Sequence, residues 1–450
     1  MLYGMTDMPV MMGLLTGLVF LPRFYSADMG IPLDTVAQII LITRVIDVIT
    51  DPLMGYISDG TSWRFGRRKP YILMGAPLLM LSTYNLYFPP ETVGPLFMFF
   101  WMSLSSLALT MILIPYYAWG AELSDDYYER SRITGWRGAF GAFGQLIAQA
   151  VPAIALFCCA IGETENVLKL VGTTILVTMP IAILCTTLFT PEPAHSKPSR
   201  VPVLPGLKLM MKNKPFLRLV FAFMLGFMGL NITTPLYLFF VADILGAEAE
   251  LVYMLCFYFV TTIASIPFWV WLAKRIEKHN AYIVAFLTIA CAHPFYLLLG
   301  PGDFWWMLPI TVVTGFASGG FSQTLPNSIK ADVIDLDRLE TGENRAGLYF
   351  SAWSFAQKAT SSIGGFIALT ALAWWGFDAS LGGDNDDSAK FGLRLLFSTL
   401  PSIFFISGAL LVWRFPINAA RQAEIQAALA DDELDGDARP TRAAGLPGTS

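Results

Sequence analysis

Three ionisable residues, Arg44, Asp47 and Asp51, stand inside an otherwise apolar stretch, TVAQIILITRVIDVITDPLMGYIS (35–58). Their spacings of 3, 4 and 7 place all three on one face of a helix, which turns once every 3.6 residues. Counted from Asp59 at the helix end, Asp51 and Asp47 lie about 12 and 18 Å deep at 1.5 Å per residue, bracketing the midplane of a roughly 30 Å hydrocarbon core. Each such charge costs at least ~2.5–3.5 kcal/mol on insertion scales, so two retained acids need compensation. Arg44 supplies one positive charge and leaves a net negative cavity. Carboxylate and hydroxyl oxygens there suit a hard monovalent cation or a proton. The alternative is a structural Arg44–Asp47 pair with Asp51 protonated.

Other polar residues in apolar runs extend the pattern. Lys358, in GLYFSAWSFAQKATSSIGGFI, is too deep to snorkel easily and calls for a carboxylate across a central cavity, either for substrate contact or as a structural pair. Asp7 lies about two turns from a membrane face and is expected to gate or to support structure, and His293 reads as a satisfied structural histidine. In the loop GYISDGTSWRFGRRKP (55–70), Asp59, Gly66, Arg67 and Arg68 form a candidate conformational latch, with Gly for the tight turn and Arg to pair with Asp59 and helix-terminal carbonyls. A second mixed-charge segment, 331–350, is expected as the corresponding loop further along the chain.

The elements that must hold these residues are membrane helices. Of 450 residues, 55% are hydrophobic and 14% charged, against about 25% charged in soluble domains. Twelve segments are long and apolar enough to span, at 3–24, 35–58, 70–89, 93–119, 136–161, 168–190, 216–241, 251–273, 281–300, 304–329, 346–375 and 392–414. The first follows no basic leader and is expected to stay as a span. With both termini cytoplasmic, 23 Lys and Arg fall in cytoplasmic loops and tails against four (Arg23, Lys169, Lys390, Arg394) on the other side, so the positive-inside rule selects that orientation. The Pro- and Lys-rich segment 191–215 reads as a cytoplasmic linker between a six-helix half at 1–190 and another at 216–414, and the acidic stretch 415–450 as a disordered cytoplasmic tail. A net charge of -5 without a basic face argues against nucleic-acid binding. The five Cys show no C-x-x-C spacing, so neither a disulfide framework nor a zinc site is indicated. Two sixes joined by a basic loop fit an all-α fold of the major facilitator architecture, which binds its ligands near the midplane between the halves.

Three stretches carry a closer resemblance. DVITDPLMGYISDGTSWRFGRRKPYILMGAP, IPYYAWGAELSDDYYERSRITGWRGAFG and ADVIDLDRLETGENRAGLYFSAWSFAQK resemble the glycoside-pentoside-hexuronide:cation symporters, the melibiose-permease branch of the major facilitator superfamily, over nearly all of 3–414. The resemblance implies a cation site of Asp47, Thr50, Asp51 and Thr110, and cavity cations at Arg137 and Lys358. It also implies a substrate cavity drawn from Met11, Arg44, Leu113, Tyr117, Arg137, Trp353 and Lys358. Met11 and Leu113 stand where melibiose permeases have sugar-gripping Asp residues, and Tyr117 where they stack a Trp, so a galactoside hydroxyl there would be left unpaired. Sodium-coupled lysophospholipid carriers are similar as well, and an apolar lining would suit their amphiphiles.

The expectation is therefore a secondary active transporter of the inner membrane, a monomer that needs no cofactor beyond Na+ or H+ as coupling ion. It would carry a glycoside or related sugar, or alternatively an amphiphile such as a lysolipid. A membrane prenyltransferase is the rival enzyme, with Asp47/Asp51/Asp59 and Asp332/Asp335/Asp337 as its Asp-rich motifs. Buried Asp47 and Asp51 fit it poorly, because diphosphate and hydrated Mg²⁺ need the membrane surface. A non-transporting scaffold would leave the buried acids without a use.

Overall fold

The computed structural model describes residues 2–438 except 61–65, 124–126, 160–163, 192–211, 249 and 342–345. It is all-α. Twelve helices run in two groups of six: α1 (Asp7–Val19), α2 (Leu33–Gly60), α3 (Lys69–Tyr87), α4 (Pro95–Glu122), α5 (Tyr127–Cys159), α6 (Thr164–Phe189), α7 (Lys214–Phe239), α8 (Leu251–Ile276), α9 (Lys278–Ala292), α10 (Phe304–Thr341), α11 (Ala346–Trp374) and α12 (Asp387–Val412). Among the described residues nine helical stretches are apolar and long enough to cross a membrane. The remaining three helices are α2 and α11, diluted by Arg44, Asp47, Asp51 and Lys358, and the shorter α3.

Packing sets the two groups against each other along α2–α11 and α5–α8, with α1 touching α7. Glycines permit the closest approaches. A Cβ on Gly144 of α5 would stand 2.1 Å from the Met8 carbonyl oxygen of α1, and one on Gly320 of α10 would stand 2.4 Å from the Trp269 ring of α8. Small residues at helix crossings serve in lipid, where close van der Waals contact replaces the hydrophobic drive between helices.

The first helix of each group ends the same way. In α1 the chain passes through Leu21–Arg23 into a π turn at Phe24–Asp28, and α7 passes into a π turn at Phe240–Ile244. The closing bonds correspond residue for residue: Met29 N–H donates to Phe24 O and Ile31 N–H to Tyr25 O, as Leu245 does to Phe240 and Ala247 to Val241. Gly30 (φ 72°) and Gly246 (φ 68°) then turn left-handed, which favours glycine. This matched ending is the structural trace of an internal repeat.

Two expectations change. The charged stretch taken as a loop at 331–350 continues α10 as helix to Thr341, and helix resumes at Ala346. Part of the stretch taken as a disordered tail forms α13 (Ala419–Ala438). Buried Ile425 anchors it; Gln422 and Gln426 donate to Asp335 at 2.9 and 2.7 Å, and the Ala419 N–H donates to Glu277 at 2.8 Å. Gly and acidic content masked an Ala- and Gln-rich segment that gains a docking surface. The linker at 192–211 lies outside the described residues.

Candidate cation and substrate sites

The face predicted for α2 exists and meets α4. Asp47 and Asp51, four residues apart, stand one helical turn from each other, and so do Ser106 and Thr110 on α4. The Ser106 hydroxyl donates to Asp47 Oδ1, and the Thr110 hydroxyl donates to Asp51 Oδ1 at 2.9 Å. Two carboxylates and two hydroxyls thus form a ladder between two helices, with Asp47 only 8% exposed. Thr50 lies beside it with a buried hydroxyl that has no hydrogen-bond partner among the described residues. Ser106 was not singled out in the sequence, because a serine in an apolar helix looks ordinary until its partner is known.

The second oxygen of each carboxylate meets a cation. Arg44 Nη1 donates to Asp47 Oδ2 at 3.3 Å, and Lys358 Nζ, from α11 in the other half, donates to Asp51 Oδ2. The carboxylate expected across the cavity from Lys358 is Asp51. This corrects the expected negative surplus: with Arg44 and Lys358 together, the two acids have two cations and the group is neutral in this conformation.

The other expected cavity residues divide. Arg137 Nε sits 3.4 Å from Asp7 Oδ2, and its guanidinium covers the Tyr117 ring at 4.4 Å. Met11 faces α5 beside Gly141. Leu113 packs on the larger of two apolar cores, which draws residues from both halves. Trp353 is buried in the second half against Phe223, with Lys330 over its ring at 4.6 Å. A cavity of about 110 Å3 is lined by Val10, Leu14, Thr43, Arg44, Met102 and Ser105 among others, with Leu369 reaching in from α11. Of the expected cavity residues it contains only Arg44. Ordinary small-molecule pockets hold roughly 300–1,000 Å3, so a glycoside or lysolipid needs the helices to part further.

At the expected latch, Gly66 adopts φ 105° and Arg68 Nη1 donates to Ser58 at 2.7 Å, while Lys69 lies 5.3 Å over the Trp119 ring. Both contacts lie within the first half. Arg67 is half-buried. The side chain of Asp59 lies outside the described residues. His293, as expected, is buried, with Nδ1 3.4 Å from the Phe397 carbonyl.

The opposite end of the bundle holds an ion cluster that the sequence did not reveal. Arg23, after α1, pairs with Asp243 at 2.8 Å and Glu248 at 3.1 Å, both in the second half. Glu248 also accepts from the Thr164 backbone N–H at 3.3 Å, joining α6 to the cluster. Asp243 lies 220 residues from Arg23, so no local pattern announces the pair.

Residues 2–419 match the family described as MFS/sugar transport protein, and the chain belongs to that family. It is similar to the sodium-dependent lysophosphatidylcholine symporter 1 of Gallus gallus, 26% identical over 92% of this chain and 85% of that one. It is also similar to the glucuronide carrier protein homolog of Escherichia coli, 24% identical over 94% and 93%. Among solved structures, the nucleoside transporter NupG superposes with a TM-score of 0.64 at 13% identity, covering 91% of this chain and 97% of that one. The protein is an integral membrane transporter of the major facilitator fold and not an enzyme.

Proposed function

We propose that the protein is a cation-coupled symporter of the glycoside-pentoside-hexuronide branch, with Asp47, Asp51, Ser106 and Thr110 as the coupling site. The observation that carries this reading is the buried ladder of two carboxylates and two hydroxyls. Its oxygens match what a hard monovalent cation needs in place of water. Thr50, with its uncommitted hydroxyl, supplies a further oxygen.

Lys358 gives the ladder its coupling. Held on Asp51, it joins α11 to α2 and hence one half to the other. An arriving Na+ or H+ neutralises Asp51 and releases Lys358, so ion binding loosens a contact between the halves and biases alternating access. A ligand shifts such an equilibrium only through its differential affinity for the two states, and the displaced ammonium supplies that difference. Both termini are placed on the cytoplasmic side of the inner membrane, where the surplus of Lys and Arg lies.

For the substrate, the branch points to a glycoside. The largely apolar lining, with residues such as Val10, Leu14 and Met102, favours the second reading, an amphiphile with a compact polar head. The relatives named above carry either class. Thermal-shift measurements on the purified protein with glycosides, uronides and lysolipids, each in Na+ and in K+, test both readings. A substrate raises the melting temperature more in its coupling ion. Shifts that change neither between Na+ and K+ nor with pH, for every ligand that binds, would contradict cation coupling.

A further inference from the structure

A second buried acid lies apart from the cation ladder. Asp7 opens α1 with a side chain 6% exposed, and Arg137 on α5 offers Nε at 3.4 Å to Oδ2. Oδ1 has no hydrogen-bond partner among the described residues. Two neighbouring hydroxyls are committed elsewhere: Tyr3 donates to the Tyr116 carbonyl at 2.6 Å, and Tyr116 donates to the Tyr3 carbonyl at 2.8 Å. A buried carboxylate oxygen left unpaired costs free energy.

Asp7 is enclosed where the start of the chain packs on α5: a Cβ on Gly4 would lie 3.0 Å from the Arg137 backbone, and one on Gly141 would touch Asp7 Cβ at 3.8 Å. Arg137 differs. Its side chain is 30% exposed, stacked on Tyr117, and its planar fork suits bidentate binding of a carboxylate or phosphate. A ligand therefore reaches the guanidinium without reaching Asp7.

We propose that Asp7 and Arg137 form a proton-linked anion site: an anionic group of the substrate takes the Arg137 guanidinium, and Asp7, losing that cation, takes up one proton from the aqueous phase. With Arg137 paired to Asp7 the site is neutral. A docked anion makes it net negative in a low dielectric, and one proton on Asp7 restores neutrality. No bond other than the new O–H forms, and one proton enters for each singly charged anion. Among the described residues, the other groups facing Asp7 do not offset this charge. Tyr3, Tyr116 and Tyr117 are neutral phenols, and Thr186 of α6 is bonded to Thr6 at 2.8 Å. α7 also packs on α1, and it has no charged residue between Arg218 and Asp243. The inference names the substrate class for the proposed carrier and rests on that reading only in requiring a carried substrate.

The test uses full-length protein in detergent, weakly buffered, with a pH indicator. Two singly charged probes, p-nitrophenyl β-D-glucuronide and the phosphodiester lysophosphatidylglycerol, are compared with the neutral p-nitrophenyl β-D-glucoside and monoacylglycerol. An anionic probe should bind with uptake of one proton, and neutral probes with none. By linkage, anion affinity should then fall about tenfold per pH unit across the interval where the docked form is protonated and the free form is not. Asp7→Asn should keep anion binding, lose proton uptake and flatten the pH dependence, and Asp7→Glu should retain both. Arg137→Gln should lose anion binding. Three results would overturn the proposal: unchanged proton uptake in Asp7→Asn, equal uptake with neutral probes, or no binding of either anion. Na+ titration of the same samples separates the readings. An intact Na+ response with no anion response removes the Asp7 site alone, whereas a missing Na+ response counts against a sodium-coupled ladder and leaves proton uptake to judge Asp7.

Discussion

Lys358 and Asp51 are 307 residues apart in the chain and hydrogen-bonded in the fold, which makes one ion pair both the balance of a partly buried acid and a tie between the two six-helix halves. A cation that enters at Asp51 has to take the place of an ammonium. The acid is thus never left bare, and ion entry and helix separation become one event.

Ser106→Ala removes the hydroxyl on Asp47 and leaves the acid in place. A hydrogen bond to a charged group contributes about 1.5–3 kcal/mol, so the apparent cation affinity should fall roughly 10- to 100-fold. Ser106→Thr should restore most of it. Isothermal titration with NaCl, or the sodium dependence of uptake, reads the change. An unaltered affinity in Ser106→Ala would remove Ser106 from the site.

Arg23→Gln should release the clamp at the end opposite the chain termini. Removing one partner of a buried pair costs about 3–5 kcal/mol because the other charge is left behind, so conformations open at that end should gain population. With the five native cysteines replaced, Thr164→Cys should react faster with an impermeant maleimide when Arg23→Gln is also present. Equal labelling rates in the two backgrounds would show that the cluster does not hold that end shut.

The sites differ in how far a sequence can show them. Asp47 and Asp51 stand out because two acids in an apolar run violate the expected pattern, and their spacing of four fixes them to one face. The twelve helices follow from apolar length and the topology from Lys and Arg placement. Ser106, Asp243 and Glu248 do not stand out, since a membrane serine is unremarkable and acids near a helix end look solvated. Their significance lies in partners far away in the chain. The neutrality of the ladder was hidden for the same reason: Lys358 and Asp51 each break the apolar pattern, but nothing local pairs them. α13 was missed because its docking contacts, Asp335 in α10 and Glu277 at the junction of α8 and α9, lie far away in the chain.

Gly144→Ala should destabilise the fold while Gly138→Ala, six residues away on the same helix, should not. The added methyl at 144 meets the Met8 carbonyl at 2.1 Å, and backbone cannot yield as a side chain does; at 138 it meets nothing within 4 Å. Overpacking of this kind costs about 1–3 kcal/mol, whereas Gly to Ala in an open helical position gains about 0.5–1 kcal/mol. Melting curves of the purified variants should therefore move in opposite directions. A common shift would mean that α1 and α5 do not pack at Gly144.

Asp51→Asn in proteoliposomes tests the coupling site most directly. The substitution keeps the shape of the side chain, removes the charge that a cation needs and leaves Lys358 without its carboxylate. With an identified substrate and imposed Na+ or H+ gradients, the wild-type protein should accumulate it against its own gradient. Asp51→Asn should lose that accumulation and the effect of the cation on substrate affinity, since coupling between two ligands is reciprocal, while still exchanging substrate down its gradient. Accumulation by Asp51→Asn with the cation dependence of the wild type would place the coupling ion elsewhere and contradict the account.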